Sequence, residues 1–294
     1  PSGPAGPLKL DRSLDTVVRT LYFASLFPLR HPDAVTIRND ATFTVIDETD
    51  SYIVVNKPAP LQIHPGDPKG RPTLWHRLCD LLSYEIANGG QVSIINRLDR
   101  ETSGVVLVAK SHELARLFGM AMQERKIHKT YAALVHGRPE WEEMVPDAPI
   151  LSARDVGTSD IWVKQIVHAQ GAPCRTAFRV IERFERGGEN FALIEAKPET
   201  GRMHQIRVHL HHLGLPIVRD KLYGRDERCY LEFIDTGWTP ALEKKLLLPR
   251  QALHSLRLEL NLEGFPGYWE APMPSEFWLK PSAAPGCRAE TPVH

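Results

Sequence analysis

Apolar residues change their spacing several times along this chain, and each change predicts a change of element. Residues 42–47 alternate apolar with polar positions and residues 52–55 are rich in β-branched side chains, so both read as strands. Lys57-Pro58-Ala59-Pro60 then breaks the chain into a loop. Residues 74–86 switch to helical spacing through Leu74, Leu78, Leu81 and Leu82. Ile94 and Ile95 lead into the polar run Asn96-Arg97-Leu98-Asp99-Arg100-Glu101-Thr102-Ser103-Gly104, after which the unbroken apolar residues 105–109 predict a buried strand. A polar loop is thereby hung between two core segments.

Beyond that loop, Ser111 is placed to cap a helix whose stripe is Leu114, Leu117, Phe118 and Ala121, with Glu113 at the positive end of its dipole. Residues 129–135 return to strand and stop at Gly137. Residues 139–171 begin acidic and show only weak strand spacing around 161–167, whereas 176–183 and 191–197 are firmer strands. Thr200 then reads as the N-cap of a helix over 203–213 that Gly214 ends. Met203, Ile206, Leu210 and Leu213 form its apolar side, and His204, Arg207 and His211 share another face. Strands dominate without alternating regularly with helices, so an α+β fold is expected, with a central mixed or mostly antiparallel sheet flanked by helices and loops. Ahead of this body, residues 14–29 read as a short apolar helix closed by Pro28 and Pro32. The expected division is an amino-terminal extension over 1–41, partly disordered, one body over 42–280 and a flexible tail over 281–294.

Composition narrows the class. In 294 residues, 42% hydrophobic and 24% charged side chains fit a globular protein rather than a disordered or fibrous one. The clean apolar stretches reach only about six residues, against the roughly 18 that a membrane-crossing helix needs. Residues 1–7 lack the basic start and apolar run of a secretory signal. Cys79, Cys174, Cys229 and Cys287 never form a C-x-x-C pair, so free thiols in a reducing cytoplasm are expected. With 36 basic and 36 acidic residues the chain is neutral, and any basic excess is local, in residues 96–131 and 201–225.

Candidate chemistry gathers in the same two stretches. Arg97-Leu98-Asp99-Arg100 sets one carboxylate between two guanidinium groups, ahead of a Ser103-Gly104 step that lets a backbone or a ligand come close. Alone, such a pattern is more often a surface ion-pair loop. Thr200-Gly201-Arg202 is likewise either a cap with a solvated arginine or a place for an anion. His204, His209, His211 and His212 point in several directions and match no zinc motif, so no metal is expected. No Gly-rich phosphate loop, G-x-S-x-G elbow or dinucleotide fingerprint is present, which removes support for a nucleotide cofactor.

Taken in order, these segments resemble the RluA-type family of pseudouridine synthases, which turn selected uridines of RNA into their carbon-linked isomers. The resemblance rests on Val54-Val55-Asn56-Lys57-Pro58, Leu61-x-x-His64-Pro65, the run from Asn96 to Gly104, Lys129-Thr130-Tyr131, and Thr200-Gly201-Arg202-Met203-His204-Gln205-Ile206-Arg207-Val208-His209. Gly214-Leu215-Pro216-Ile217, Asp220-x-x-Tyr223-Gly224 and Ala271-Pro272-Met273-Pro274 extend it, so that it spans about residues 43–275. It implies a pseudouridine synthase catalytic domain over 42–280, a structured RNA substrate, ribosomal or transfer, and neither metal nor organic cofactor. A monomer without membrane association is expected.

Residue by residue, the resemblance implies that Asp99 is the essential carboxylate, Arg202 its ion-pair partner, and Tyr131 the ring against the target base, able to accept the proton that is lost. Arg97 would hold a flipped nucleotide or fill the place it left, and Arg100, Lys129, Arg207 and His64 would add RNA contacts. Two positions depart from the family pattern: Asn96 stands where His is usual, and Arg219 where Gly is common, although Arg adopts a positive φ less cheaply. Two other readings compete. One is an RNA-binding protein without catalysis; the other is a glycosidase-like hydrolase, which needs a second carboxylate, and Glu101 and Glu199 are nearest in sequence.

Overall fold

Side chains with no polar alternative decide the middle of the fold. The computed structural model describes residues 39–40, 43–66, 71–159, 161–236, 239–245 and 250–278. The helix expected over 14–29 and the tail expected over 281–294 lie outside them, as does the extension over 1–41 apart from residues 39–40.

In chain order the strands are β1 (Asn39–Asp40), β2 (Phe43–Glu48), β3 (Tyr52–Lys57), β4 (Ser93–Ile94), β5 (Ser103–Ala109), β6 (Ile127–His136), β7 (Glu143–Met144), β8 (Ile150–Ser152), β9 (Gln165–Val167), β10 (Thr176–Arg186), β11 (Glu189–Pro198), β12 (Leu253–Leu260) and β13 (Gly267–Glu270). The helices are α1 (Leu74–Leu81), α2 (Ser83–Ala87), α3 (His112–Gln123), α4 (Gln205–His212), α5 (Arg228–Thr236) and α6 (Pro240–Lys245). One large sheet runs β1-β2-β3-β5-β12-β6-β11-β10-β7, with β4 added to β5 and β13 to β12, while β8 and β9 pair separately. The β5–β12 pair is parallel, and the other pairings of the large sheet are antiparallel. This is the α+β architecture with a mixed sheet that the strand-rich pattern predicts.

All seven residues of β5 are buried, as an uninterrupted apolar run demands of a central strand. The predicted stripe of α3 packs Leu114, Phe118 and Ala121 on Val54, Val105, Leu107 and Leu258, and each large apolar side chain so buried contributes about 1.5–3 kcal/mol. Ser111 caps this helix by accepting the Leu114 N–H at 3.2 Å. The helix expected over 74–86 is two, because the backbone leaves helical geometry at Leu82, whose side chain is buried.

A strand absent from the sequence reading holds the sheet together. Leu256, Leu258 and Leu260 alternate with Arg257 and Glu259, a period-two signal, and the strand they form, β12, inserts between β5 and β6. Its Ser255 lies in register with Gly104 on one side and Tyr131 on the other. The close approach expected at Gly104 is made by this backbone: Gly104 has φ 115°, and a Cβ there would sit 2.1 Å from the Ser255 carbonyl oxygen.

The two departures from the family pattern each have a structural role. Asn96 extends β5 by side chain: its Nδ2 donates to Val105 O at 2.9 Å, and its Oδ1 accepts the Leu107 N–H at 2.8 Å. Arg219 takes the left-handed conformation that Gly would supply, with φ 62°, and is buried.

Candidate active site

The loop between β4 and β5 is anchored from beneath by a lysine with no exposure. Lys57 Nζ donates to the carbonyl oxygens of Pro58, Leu61 and Arg100 at 3.0, 2.8 and 3.3 Å. Burial, then the charge of Arg250, brings its pKa down to about 7. Gln251 secures the far end by donating to Thr102 Oγ1 at 2.7 Å. Asp99 thereby emerges into a cleft of about 510 Å³.

From the opposite wall α4 presents Arg207. Its Nη1 donates to Asp99 Oδ2 at 2.8 Å, while Nε and Nη2 hold Asp220 bidentately at 2.6 and 2.9 Å. Asp220 is itself fixed by the N–H groups of Leu222 and Tyr223 at 3.0 and 2.9 Å. The partner of Asp99 is therefore Arg207 and not Arg202. The helix starts at Gln205 rather than at 203, which leaves Arg202 exposed in the preceding turn, its N–H donated to Gln205 Oε1 at 3.1 Å. Thr200 does not cap the helix; its hydroxyl donates to Gln205 Oε1 at 2.6 Å, and the N-cap position belongs to His204. Arg207, expected to touch RNA, is committed to two carboxylates, with 9% of its side chain exposed.

The electrostatics follow from this pairing. Burial alone raises the Asp99 pKa, but the adjacent Arg207 charge and its hydrogen bond outweigh it and hold the carboxyl below the usual range. Asp220 is held down in the same way. Tyr131, on β6, moves in the other direction: burial first, then the Asp99 charge, push its phenol above the ordinary value. The phenol is thereby kept in its neutral form, and Tyr131 lines the cleft beside Asp99.

His64, Arg97, Lys129, Tyr131, Arg202 and Arg207 all line the cleft with Asp99. Arg100 is not among the lining residues; its guanidinium lies over the Phe233 ring of α5, 5.8 Å from the centroid. Neither carboxylate considered for a hydrolase reaches the cleft: Glu101 pairs with Lys221, and Glu199 lies between Arg125 and Arg175 at the surface. The histidines of α4 separate as their spacing implies. His204 and His211 meet Tyr223, whereas His209 is buried against Thr176 and the Ala148 carbonyl. Among the described residues no group of three or more His, Cys, Asp or Glu side chains forms a candidate metal site, and no helix is long and apolar enough to cross a membrane.

Sequence reasoning missed Gln205, Asp220 and Tyr223 as site-builders. The shared face of His204, Arg207 and His211 was the available signal, since all three converge on Tyr223, with Arg207 Cζ 4.9 Å from its ring centroid.

Comparison with known proteins meets this geometry. The family model described as RNA pseudouridylate synthase matches residues 51–212. A ribosomal large subunit pseudouridine synthase D of Nitrosomonas europaea is 35% identical over 235 residues, covering 79% of this chain and 62% of the relative. An uncharacterized RNA pseudouridine synthase of Chloroflexus aurantiacus is 37% identical over 230 residues, or 76% of this chain and 64% of that one. A synthase D of Haemophilus ducreyi is 34% identical, covering 79% and 68%. The chain thus spans less than two thirds of the length of the first two. Among solved structures, human RNA pseudouridylate synthase domain containing 1 shares the fold, with a TM-score of 0.61 at 22% identity over 83% of this chain and 86% of that one. Because the match runs from β3 to the end of α4, across Asp99, Tyr131 and Arg207 alike, this chain belongs to the RNA pseudouridylate synthase family.

Proposed function

We propose that this protein isomerises uridine to pseudouridine in RNA, with residues 42–280 as its catalytic domain and Asp99 as the essential carboxylate. The observation that carries the reading is the Asp99–Arg207 pair: a half-buried carboxylate held ionised by its guanidinium partner, yet open on one side to a cleft. A nucleophile that must attack carbon needs both properties, and burial without a partner would protonate it.

The target uridine leaves its stack at a cost of a few kcal/mol. The Tyr131 ring receives the base, Arg97 at the exposed mouth holds the nucleotide or fills the vacated place, and Lys129, Arg202 and His64 meet the backbone around it. Asp99 acts on the base–sugar bond as nucleophile or charge stabiliser, N1 parts from C1′, the freed base turns and C5 joins C1′, after which the C5 proton passes to water and N1 takes one up from water. Tyr131 stays a neutral phenol throughout. The product has the atoms of the substrate, and no electrons pass to or from another group, so the reading calls for no cofactor.

The names of the relatives direct the first test to large-subunit ribosomal RNA. Mapping pseudouridine across total RNA with and without the protein tests activity and identifies the target together. Mass-neutral conversion that Asp99→Asn abolishes supports the reading; release of free uracil indicates a hydrolase, and unmodified RNA bound equally well by both proteins indicates a binding protein without catalysis.

A further inference from the structure

His204 has no part in the steps above, yet its ring is tightly determined. The residue holds φ 57°, a left-handed conformation unfavourable for a non-glycine residue, and 13% of its side chain is exposed. Its Nδ1 lies 2.9 Å from the phenol oxygen of the buried Tyr223. That oxygen accepts the Gln165 N–H at 2.8 Å, and a phenol proton donated to Nδ1 gives both groups a partner. With Nδ1 accepting, a neutral imidazole carries its proton on Nε2. Nε2 is 3.9 Å from Asp99 Oδ2, beyond a hydrogen bond and close enough for both atoms to meet one substrate.

The charged groups facing this ring are Arg207 on its own helix, Asp99 from the loop before β5 and Asp220 from the loop after α4. Burial and Arg207 outweigh the two carboxylates and bring the His204 pKa down to about 4, so the ring is neutral near pH 7.

We propose that His204 is a substrate-contacting residue of this site, a neutral imidazole whose Nε2–H donates to an oxygen of the nucleotide held against Asp99, with Tyr223 as the positioning residue that fixes its tautomer. The inference rests on Asp99 as the reacting carboxylate. The oxygens that uridine offers are the ribose hydroxyls and the uracil carbonyls, and both accept such a bond.

The test measures kcat and KM between pH 5 and 8 on the RNA site that the wild-type protein modifies. His204→Asn suits the left-handed backbone but is too short to reach, so it is expected to lose about tenfold in kcat/KM, the equivalent of one hydrogen bond. His204→Gln carries a neutral amide N–H near the Nε2 position and is expected to recover most of that loss. Tyr223→Phe removes the donor that fixes the ring proton on Nε2, so it is expected to lose part of the same kcat/KM near pH 7, and adding it to His204→Asn costs nothing further. A target carrying 2′-deoxyuridine separates the acceptors: if His204→Asn costs nothing more on it, the bond goes to the 2′-hydroxyl, and an undiminished cost assigns it elsewhere on the nucleotide. Wild-type kcat/KM in His204→Asn overturns the inference. So do equal losses in the Asn and Gln variants at unchanged Tm, or additive losses in the double variant. A wild-type protein that modifies no RNA overturns the proposed function instead.

Discussion

Asp99 and Glu101 are two residues apart on one loop, carry the same charge and both meet a cation, but their surroundings differ. Glu101 is closed into the structure: its carboxylate pairs with Lys221 and accepts the Gln251 N–H at 3.4 Å, and Arg250 donates to its carbonyl at 3.4 Å. Its side chain is 18% exposed and outside the cleft. Asp99 has its cation on one side, keeps 33% exposure and faces open volume. An ion pair wrapped on all sides can only fasten its loop. One left open on a single side can keep its charge and still meet a ligand, which is why exposure distinguishes the two where charge does not.

The largest effect expected is the direct exchange. Asp99→Asn should lower pseudouridine formation by about 10⁴-fold or more, as removal of an essential catalytic group does, with a modest fall in Tm because Arg207 keeps Asp220. Glu101→Gln should keep most of the activity and lose about 1–3 kcal/mol of stability, because the ion pair with Lys221 is lost. Denaturant unfolding and single-turnover kinetics on both variants check the contrast, and it breaks if Glu101→Gln is the inactive one.

Arg207→Met should destabilise the protein by about 3–5 kcal/mol by leaving Asp99 and Asp220 uncompensated. It also moves a pH limit. Both carboxyls have folded-state pKa values below the ordinary range, so their stabilisation is complete above the unfolded value and is lost as pH falls through the folded one. Without Arg207 those pKa values rise, and the acid limits of stability and of kcat/KM should both move to higher pH. An unmoved acid limb would mean that Arg207 does not set the ionisation of Asp99.

Asn96→Ala should cost about 1–3 kcal/mol, the penalty for leaving the Val105 carbonyl and the Leu107 N–H unpaired. Because Asn96 anchors the start of the loop that carries both carboxylates, Tm and kcat should fall together, unlike in either carboxylate variant. The smallest difference expected is in binding. If about five phosphates are met, log affinity should fall with log salt at a slope near −3.5, and Asp99→Asn should leave that slope unchanged, since its site adds no cation to the RNA contact. A flat salt response in filter binding would remove RNA as the ligand.

Much of this was legible beforehand. The burial of residues 105–109 and the capped helix after Ser111 follow from periodicity, and the grouping of Asp99 with Arg97, Tyr131, Lys129 and His64 from the family resemblance. The cost foreseen for Arg219 is present as a positive φ. The partner of Asp99 was not legible, because Arg202 and Arg207 stand in the same motif and only the contact across the cleft shows that the one on α4 reaches Asp99. The place of β12 was not legible either: its alternation marks a strand but does not say which strands it enters between.

Taken alone, the sequence determined the family, the strand-rich class, the polar loop between core segments and the carboxylate at its centre, since each is written in the order and spacing of neighbouring residues. Tertiary structure decided which guanidinium keeps Asp99 charged, which carboxylate stays open to a ligand and that the His204 ring meets Tyr223. Those depend on contacts between Asp99 and Arg207, Glu101 and Lys221, and His204, Tyr223 and Gln165, groups separated by up to 120 residues of chain, and local spacing holds no information about which distant surfaces will meet.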